Sequence, residues 1–376
     1  MGTLARTITA YSYRHVIKPL LFLRHPDAVH TDIVSAGKVV QSAPGVRRLP
    51  EMWQYQNKPM LRQVIAGVEF PNPIGLAAGF DKNIELAPLL KSVGFGFMTG
   101  GSVTARPCSG NKKPWFHRLP ADKSLVVHAG LPNKGVDTAI QTIARYDRRV
   151  FDSFPLIVSV AKTNDEQSAD EEAAIDDYCH SLERLEASDS AALYEVNISC
   201  PNTFGGEPFT TPKRLDNLLT RIDTLQLSKL VVIKMPIGLD WDRTSALLDV
   251  IVKHRVIGVT IGNLLKDRTR ASLTQHVSDQ VLGGLSGVPT RDISTELIRK
   301  TYKKYGNTLI IIGVGGVFSA EDAYEKIRAG ASLVELITGM IFEGPQLIGE
   351  INYGIEQLLR RDGYRSITAA IGSWAK

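Results

Sequence analysis

Tyr194-Glu195-Val196-Asn197-Ile198-Ser199-Cys200-Pro201-Asn202 is an apolar, β-branched run that breaks into a Cys-Pro turn with asparagines on either side. A run of this kind reads as a buried strand that stops and presents a thiol and two amides at its end. A thiol can exchange a proton, and asparagine can grip carbonyl and amide groups without adding charge. The bland alternative for Cys200 is a small buried hydrophobe, the usual fate of a free cysteine. Its strand-end position, with Pro201 turning the chain into a loop, favours the chemical reading.

Working outward, the same pattern recurs on both sides. Apolar strand stretches run over Ile74–Ala78, Phe95–Val103, Leu156–Lys162, Leu193–Ser199, Leu230–Pro236, Val256–Asn263, Leu309–Val317 and Leu333–Gly339. Helical stretches separate them at Ile84–Ser92, Val136–Tyr146, Ser168–Glu186, Pro212–Leu225, Trp241–His254, Arg291–Tyr305 and Ala320–Ala329, and Pro345–Arg361 follows the last strand. This alternation predicts a (β/α)8 TIM barrel, with a doubly wound open sheet as the second choice. In such barrels the chemistry sits at the C-terminal strand ends. Those ends carry Ala78-Gly79-Phe80-Asp81-Lys82, Gly101-Ser102, Lys162, Asn197 with Cys200, Lys234, Gly262-Asn263, Gly313-Val314-Gly315-Gly316 and Thr338-Gly339. Two long connections stand out as lid candidates: Thr203–Thr211 after Cys200, and the segment holding Gly283–Gly287.

The N-terminal stretch differs. Arg6, Arg14, Lys18 and Arg24 face a single acid, Asp27, and apolar residues recur through Tyr13, Val16, Ile17, Leu20, Leu21 and Leu23. The pattern predicts two short amphipathic helices, one on each side of Pro26. They would lie in a membrane interface or cap the barrel, since amphipathicity does not distinguish lipid from core. The boundary falls between a 1–45 extension and a 46–376 barrel, whose first part (46–72) is an irregular, proline-interrupted connector.

Bulk properties set limits. The chain has 376 residues, 43% of them hydrophobic, enough for one large barrel with an extension. No apolar run is long enough to span a bilayer, and no signal-peptide core is read. Cys108, Cys179 and Cys200 are too few and too scattered for a disulfide framework or a zinc site, which suits a reducing interior, and no metal site is expected. A net charge of +5 and a pI near 9.0 admit an anionic substrate or a membrane surface. Nucleic acid is not expected as a partner, because no basic-aromatic motif is present.

Three features at the strand ends carry chemistry. Gly313–Gly316 and Thr338-Gly339 stand where barrels build phosphate cradles from backbone N–H groups; their alternative is a pair of tight turns. Lys234 ends the apolar run Leu230–Ile233, and a lysine there needs a partner: a developing negative charge on a bound group, or a structural carboxylate. Lys82 suits a cofactor phosphate or an anionic substrate, while Asp81 beside it can simply pair with it.

With these residues on the page, the chain resembles the dihydroorotate dehydrogenase family over nearly its whole length. The matching motifs are Asn72-Pro73-Ile74-Gly75-Leu76-Ala77-Ala78-Gly79-Phe80-Asp81-Lys82-Asn83, Val196–Asn202, Gly283–Gly287 and Ile312–Gly316. The N-terminal Lys18–Phe22 and Pro26–His30 resemble the membrane-associated, quinone-using class. The resemblance implies an FMN barrel that oxidises dihydroorotate, with Cys200 as the base at C5 and hydride passing from C6 to FMN. It implies substrate contacts from Asn197, Asn202, Asn263 and Lys82. It assigns FMN to Ala78, Gly79, Lys82, Ser102, Asn197, Lys234, Gly262, Gly287, Gly315, Gly316, Thr338 and Gly339, and a quinone tunnel to His30 and Arg118. The implied location is peripheral, on the cytoplasmic face of a membrane, with a cytoplasmic protein as the alternative.

The chain departs from the family pattern in places. Cys200 stands where the quinone class has serine; Cys200 and Gly130-Leu131-Pro132-Asn133 resemble the soluble class. Val127-His128-Ala129-Gly130 replaces an Asn-x-Met-Gly motif whose asparagine contacts the substrate. Leu264 replaces a hydroxyl residue, Gly262 a threonine and Ser159 an asparagine. Unpaired polar partners cost roughly 1–3 kcal/mol each, so these changes motivate an alternative: the same flavin barrel acting on a less polar ring or enone. A non-catalytic binding barrel is the third reading, disfavoured by Asn197, Cys200 and Lys234.

Overall fold

The alternation of apolar runs and helices closes on itself. In the computed structural model, which describes residues 2–43, 45, 49–55, 59–200, 202–204 and 206–375, eight parallel strands form a closed barrel. They are β3 (Ile74–Leu76), β4 (Phe97–Val103), β7 (Leu156–Val160), β8 (Leu193–Asn197), β9 (Leu230–Met235), β10 (Val256–Ile261), β12 (Ile310–Val314) and β13 (Leu333–Leu336). Each expected strand is present, trimmed by a few residues at its ends, and the expected helices alternate with them. The open-sheet alternative is excluded by pairing of β13 with β3.

Side chains two apart on a strand share a face, so each strand contributes to successive layers of the barrel interior. The lowest layer is apolar: Phe97, Ile157, Leu193, Val232, Ile312 and Leu333 pack with Ile65 and Phe70. Ile65 and Phe70 come from a hairpin, β1 (Gln63–Ile65) and β2 (Val68–Phe70), that the proline-rich connector concealed. Two residues further along the strands, the interior turns polar: Thr99, Ser159, Glu195, Lys234 and Glu335 are all buried. A second small sheet overlies the C-terminal side, built from β5 (Phe116–Leu119), β6 (Ser124–Val127) and β11 (Gly284–Leu285).

The N-terminal segment is helical, and its two arms part just before Pro26, as expected. Gly2–Ser12 runs through a π-helical turn, Tyr13–Ile17, into Lys18–Phe22, and Pro26–Ser42 forms the second arm. Pro19 has no N–H to donate to the preceding turn, and the widened turn just before it accommodates that loss. Arg6 ties this arm down by donating to the carbonyls of Trp53 and Gln54, and the Tyr13 hydroxyl donates to Ile341 O at 2.8 Å. The outward face keeps Leu4, Ile8, Tyr11, Val16, Leu20 and Leu23 exposed. No helix among the described residues is long and apolar enough to cross a membrane.

Candidate active site

The strand ends and the small overlying sheet enclose a cavity with about 930 Å³ of empty space, open mouth included. Its floor and walls carry Ala78, Gly79, Lys82, Ser102, Asn197, Cys200, Asn202, Lys234, Asn263 and Thr338, and His30 reaches it from the second N-terminal arm. The structure thus brings together the expected base, all the expected substrate-contacting residues and seven of the twelve expected cofactor residues. Pro201 lies outside the described residues. Gly262, Gly287, Gly315, Gly316 and Gly339 stand beside the cavity without lining it. Their close neighbours are protein atoms: a β-carbon on Gly339 would come within 2.0 Å of Val317 O. Arg118 also lies outside the lining; its Nη1 donates to Arg24 O at 2.7 Å and Phe22 O at 3.3 Å, clasping the turn between the two N-terminal arms.

Asn197 ends β8 and is held from both sides. Its Nδ2 donates to Ser102 Oγ at 2.9 Å, and its Oδ1 accepts from Ser199 N and Oγ, both at 3.1 Å. Ser102 in turn meets Ser159 Oγ at 2.8 Å. Asn263 Nδ2 donates to Ser199 O and Oγ at 2.7 Å. One chain of hydrogen bonds therefore fixes two of the three amides. Asn202 is oriented separately. Its Nδ2 donates to Val127 O at 3.0 Å, and its Oδ1 lies 3.2 Å from His128 Nδ1. Asn111 Nδ2 lies 3.2 Å from His128 Nε2 and donates to Asn202 O. Because Asn202 Oδ1 accepts and Asn111 Nδ2 donates, this arrangement calls for neutral His128 with its proton on Nδ1. His128 is thus a clamp on the loop that carries Cys200, while the Val127 and Leu264 side chains face the cavity.

Burial pushes the Cys200 thiol up to about 11. Lys82 does not pair with Asp81. The Asp81 carboxylate instead accepts from the Glu85 and Leu86 N–H groups, each at 2.8 Å. Lys82 Nζ reaches His30 Nε2 at 3.2 Å and lies over the Phe116 ring. Burial lowers Lys82 to about 8, and burial together with the Lys82 ammonium lowers His30 to about 3. His30 is therefore a neutral acceptor across the ordinary pH range.

Two buried acids went unnoticed in the sequence. Glu195 and Glu335 sit in the polar layer below Lys234, each a lone carboxylate inside an apolar run, the same signal that singled out Lys234. Lys234 Nζ has Glu195 Oε1 at 3.9 Å, and no hydrogen bond to it is found among the described residues. An ammonium 4% exposed that lines a cavity without a hydrogen-bond donor's partner suits an anionic or strongly polar ligand group. Gly79 agrees: at φ +113 a β-carbon would meet nothing nearer than Ile337 Cδ1 at 3.9 Å, leaving open backbone at the cavity wall. Both features fit a flat, polar-edged cofactor such as a flavin. No cluster of histidine, cysteine or carboxylate residues that could hold a metal occurs among the described residues.

Comparison with known proteins gives one answer. The sequence profile of the family described as "Dihydroorotate dehydrogenase" matches residues 60–359. "Dihydroorotate dehydrogenase (quinone)" of Halobacterium salinarum is 36% identical over 358 residues, covering 95% of this chain and 99% of the relative. The protein of the same name from Corynebacterium efficiens is 34% identical over 371 residues, covering 98% and 95%. Among solved structures, ligand-free DHODH from Eimeria tenella superposes with a TM-score of 0.78 at 26% identity, covering 89% of this chain and 100% of that one. Its ferulenol complex gives a TM-score of 0.75 at 27% identity, covering 85% and 90%.

Proposed function

The chain belongs to the dihydroorotate dehydrogenase family, and from that premise we propose that it oxidises dihydroorotate to orotate with bound FMN and delivers the electrons to quinone at a membrane surface. The observation that supports this most is the convergence of Cys200, Asn197, Asn202, Asn263 and Lys234 on one cavity that His30 connects to the N-terminal arms. FMN, when bound, accepts the hydrogen and electron pair that leave C6 of the ring. Cys200 Sγ takes the proton from C5. The amides of Asn197, Asn202 and Asn263, already fixed by their hydrogen bonds to the protein, grip the ring's carbonyl and N–H groups. Ala78, Gly79, Ser102, Lys234 and Thr338 hold the cofactor, with Gly262, Gly287, Gly315, Gly316 and Gly339 shaping the backbone around it. Lys82 attracts the substrate carboxylate or the flavin, and His30 and Arg118 border the quinone path.

The deciding experiment is anaerobic mixing of the purified FMN-loaded protein with dihydroorotate while following flavin absorbance. Rapid bleaching supports this reading. A yellow protein that bleaches with dithionite but not with dihydroorotate overturns it. That result would favour the second reading that Val127 and Leu264 motivate, a less polar ring or enone as substrate.

Lys82 gives a pH prediction. Its lowered value near 8 means the ammonium is intact below pH 8 and is lost as pH rises through it. The KM for the anionic substrate should therefore climb between about pH 7.5 and 9 in the native protein, and Lys82→Met should have a high KM at every pH. A native KM flat across that range would remove Lys82 from substrate attraction.

The exposed apolar face supports a peripheral seat on the cytoplasmic side of a membrane. Leu20→Glu with Leu23→Glu should weaken sedimentation with anionic phospholipid vesicles by at least about tenfold, since each buried leucine contributes roughly 1.5 kcal/mol or more. Turnover with a soluble dye should stay at the native level while turnover with vesicle-borne quinone falls. Equal loss with both acceptors would mean the arms only stabilise the barrel.

A further inference from the structure

The eight barrel strands carry Tyr194, Glu195, Lys234 and Glu335 as their ionisable side chains. Tyr194 points outward, its hydroxyl donating to Glu186 at 3.0 Å. The other three meet at the cavity floor, where Lys234 lines the cavity and Glu195 and Glu335 lie sealed beneath it. Glu195 and Glu335 are 0% exposed. Each carboxyl has one oxygen bonded to a hydroxyl: Thr260 Oγ1 donates to Glu195 at 2.7 Å, and Thr99 Oγ1 donates to Glu335. The second oxygen of each, Glu195 Oε1 and Glu335 Oε2, is buried with no hydrogen-bond partner. Facing this pair, β7 contributes Ser159 and β9 contributes Lys234, while β3 and β12 contribute no charged group.

The charge count decides the protonation state. Two ionised carboxylates and one ammonium would bury a net negative charge away from water, which is costly. Protonating one carboxyl brings the three groups to neutrality. Glu195 is the carboxylate beside Lys234, at 3.9 Å, so the proton falls to Glu335. Independently, burial and the neighbouring Glu195 both push the Glu335 carboxyl above the ordinary carboxylate range. Reduction of a flavin above Lys234 by two electrons and one proton leaves a negative charge over this layer. An ionised Glu335 would oppose that charge; a protonated one does not.

We propose that Glu335, acting through Lys234, is a buried neutral acid that keeps the floor of the site from becoming anionic, so that its ionisation at alkaline pH makes the bound cofactor harder to reduce. Reduction in that alkaline range then draws a proton from solvent onto Glu335, so two protons accompany two electrons where one sufficed at lower pH. Glu335 is a positioning residue for charge; it lies below the cavity and touches no substrate. This inference rests on the reading that FMN binds over Lys234.

The test is a spectroelectrochemical titration of the FMN holoenzyme from pH 6 to 10, native against Glu335→Gln. Glutamine keeps the shape and the bond to Thr99 but cannot ionise. In the native protein the midpoint potential should fall about twice as steeply with pH between the Glu335 transition of the oxidised protein and its higher transition in the reduced protein as it does below both. In Glu335→Gln the shallow slope should continue, so the variant lies above the native protein at pH 9.5. Parallel lines across the whole range would overturn the proposal. Infrared spectroscopy of the native apoprotein supplies a second readout that needs neither variant nor cofactor. A carboxylic-acid C=O band should be present at neutral pH, shift in heavy water and vanish at high pH; no such band at pH 7 would overturn the proposal. Failure of the protein to bind FMN would sink the preceding functional reading and leave the infrared band to decide the state of Glu335.

Discussion

Cys200→Ala should lower the rate of flavin reduction by dihydroorotate by roughly 10²–10⁴-fold, the usual worth of a positioned general base, while FMN stays bound with an unaltered spectrum. The thiol stands in the cavity with Asn197 and Asn263, and its neighbours Asn197, Ser199 and Asn263 are held by their own hydrogen bonds. Removing Sγ therefore leaves the walls in place. The pH dependence sharpens the test. Burial raises the thiol to about 11, and the proton acceptor is the thiolate, so the native rate should rise with pH through the neutral and mildly alkaline range. A serine hydroxyl ionises far less readily. Cys200→Ser should fall between native and alanine and show its rise displaced to higher pH. An alanine variant that bleaches at the native rate, or a serine variant with the native profile, would take Cys200 out of the base role. Measured at saturating dihydroorotate, this profile is separable from the effect of Lys82, which acts on KM.

Much of the architecture was legible because a parallel barrel writes itself as continuous apolar runs. Each of the eight strands is buried on both sides and bounded by a helix with clear caps or glycines, so periodicity alone located them. The functional strand ends followed, because topology places them at one face. What stayed hidden depends on partners distant in sequence. β11 has two residues and exists because Gly284 pairs with Val127 on β6. The glycine at 283 reads as a flexible patch in the sequence, yet a β-carbon there would come within 2.2 Å of Val127 O, so close sheet packing explains it. His128 could not be given a role until Asn202 and Asn111 were seen on either side of its ring. Asp81 looked like a mate for its neighbour Lys82, but its carboxylate accepts from the Glu85 and Leu86 N–H groups and caps the following turn. Glu195 and Glu335 were visible as lone acids in apolar runs; only barrel closure shows that both lie under Lys234.

Lys234→Met should cause the second large loss, in two separable parts. The first is structural. The ammonium is the cation of the buried layer, and its removal leaves Glu195 without a counter-charge; breaking a buried ion pair from one side costs roughly 3–5 kcal/mol. Acid relieves this cost, because the unpaired carboxylate can be neutralised by a proton instead. The variant should therefore lie closest to native thermal stability in acid and fall progressively further below it as pH rises. The second part concerns the cofactor. Loss of a fixed charge aimed at developing negative charge typically costs about 10²–10³ in rate, and flavin reduction should fall by that order even where the fold is intact. The double variant Lys234→Met with Glu195→Gln distinguishes the two. It buries no unpaired carboxylate beside the methionine, so melting temperature at pH 8 should recover most of the loss while flavin reduction stays slow. Recovery of both would mean that Lys234 serves only to neutralise Glu195, and that the charge facing the cavity does nothing for the reaction. Recovery of neither would place the damage in packing, since methionine fills the lysine stem but leaves the space of the ammonium beneath the cavity floor.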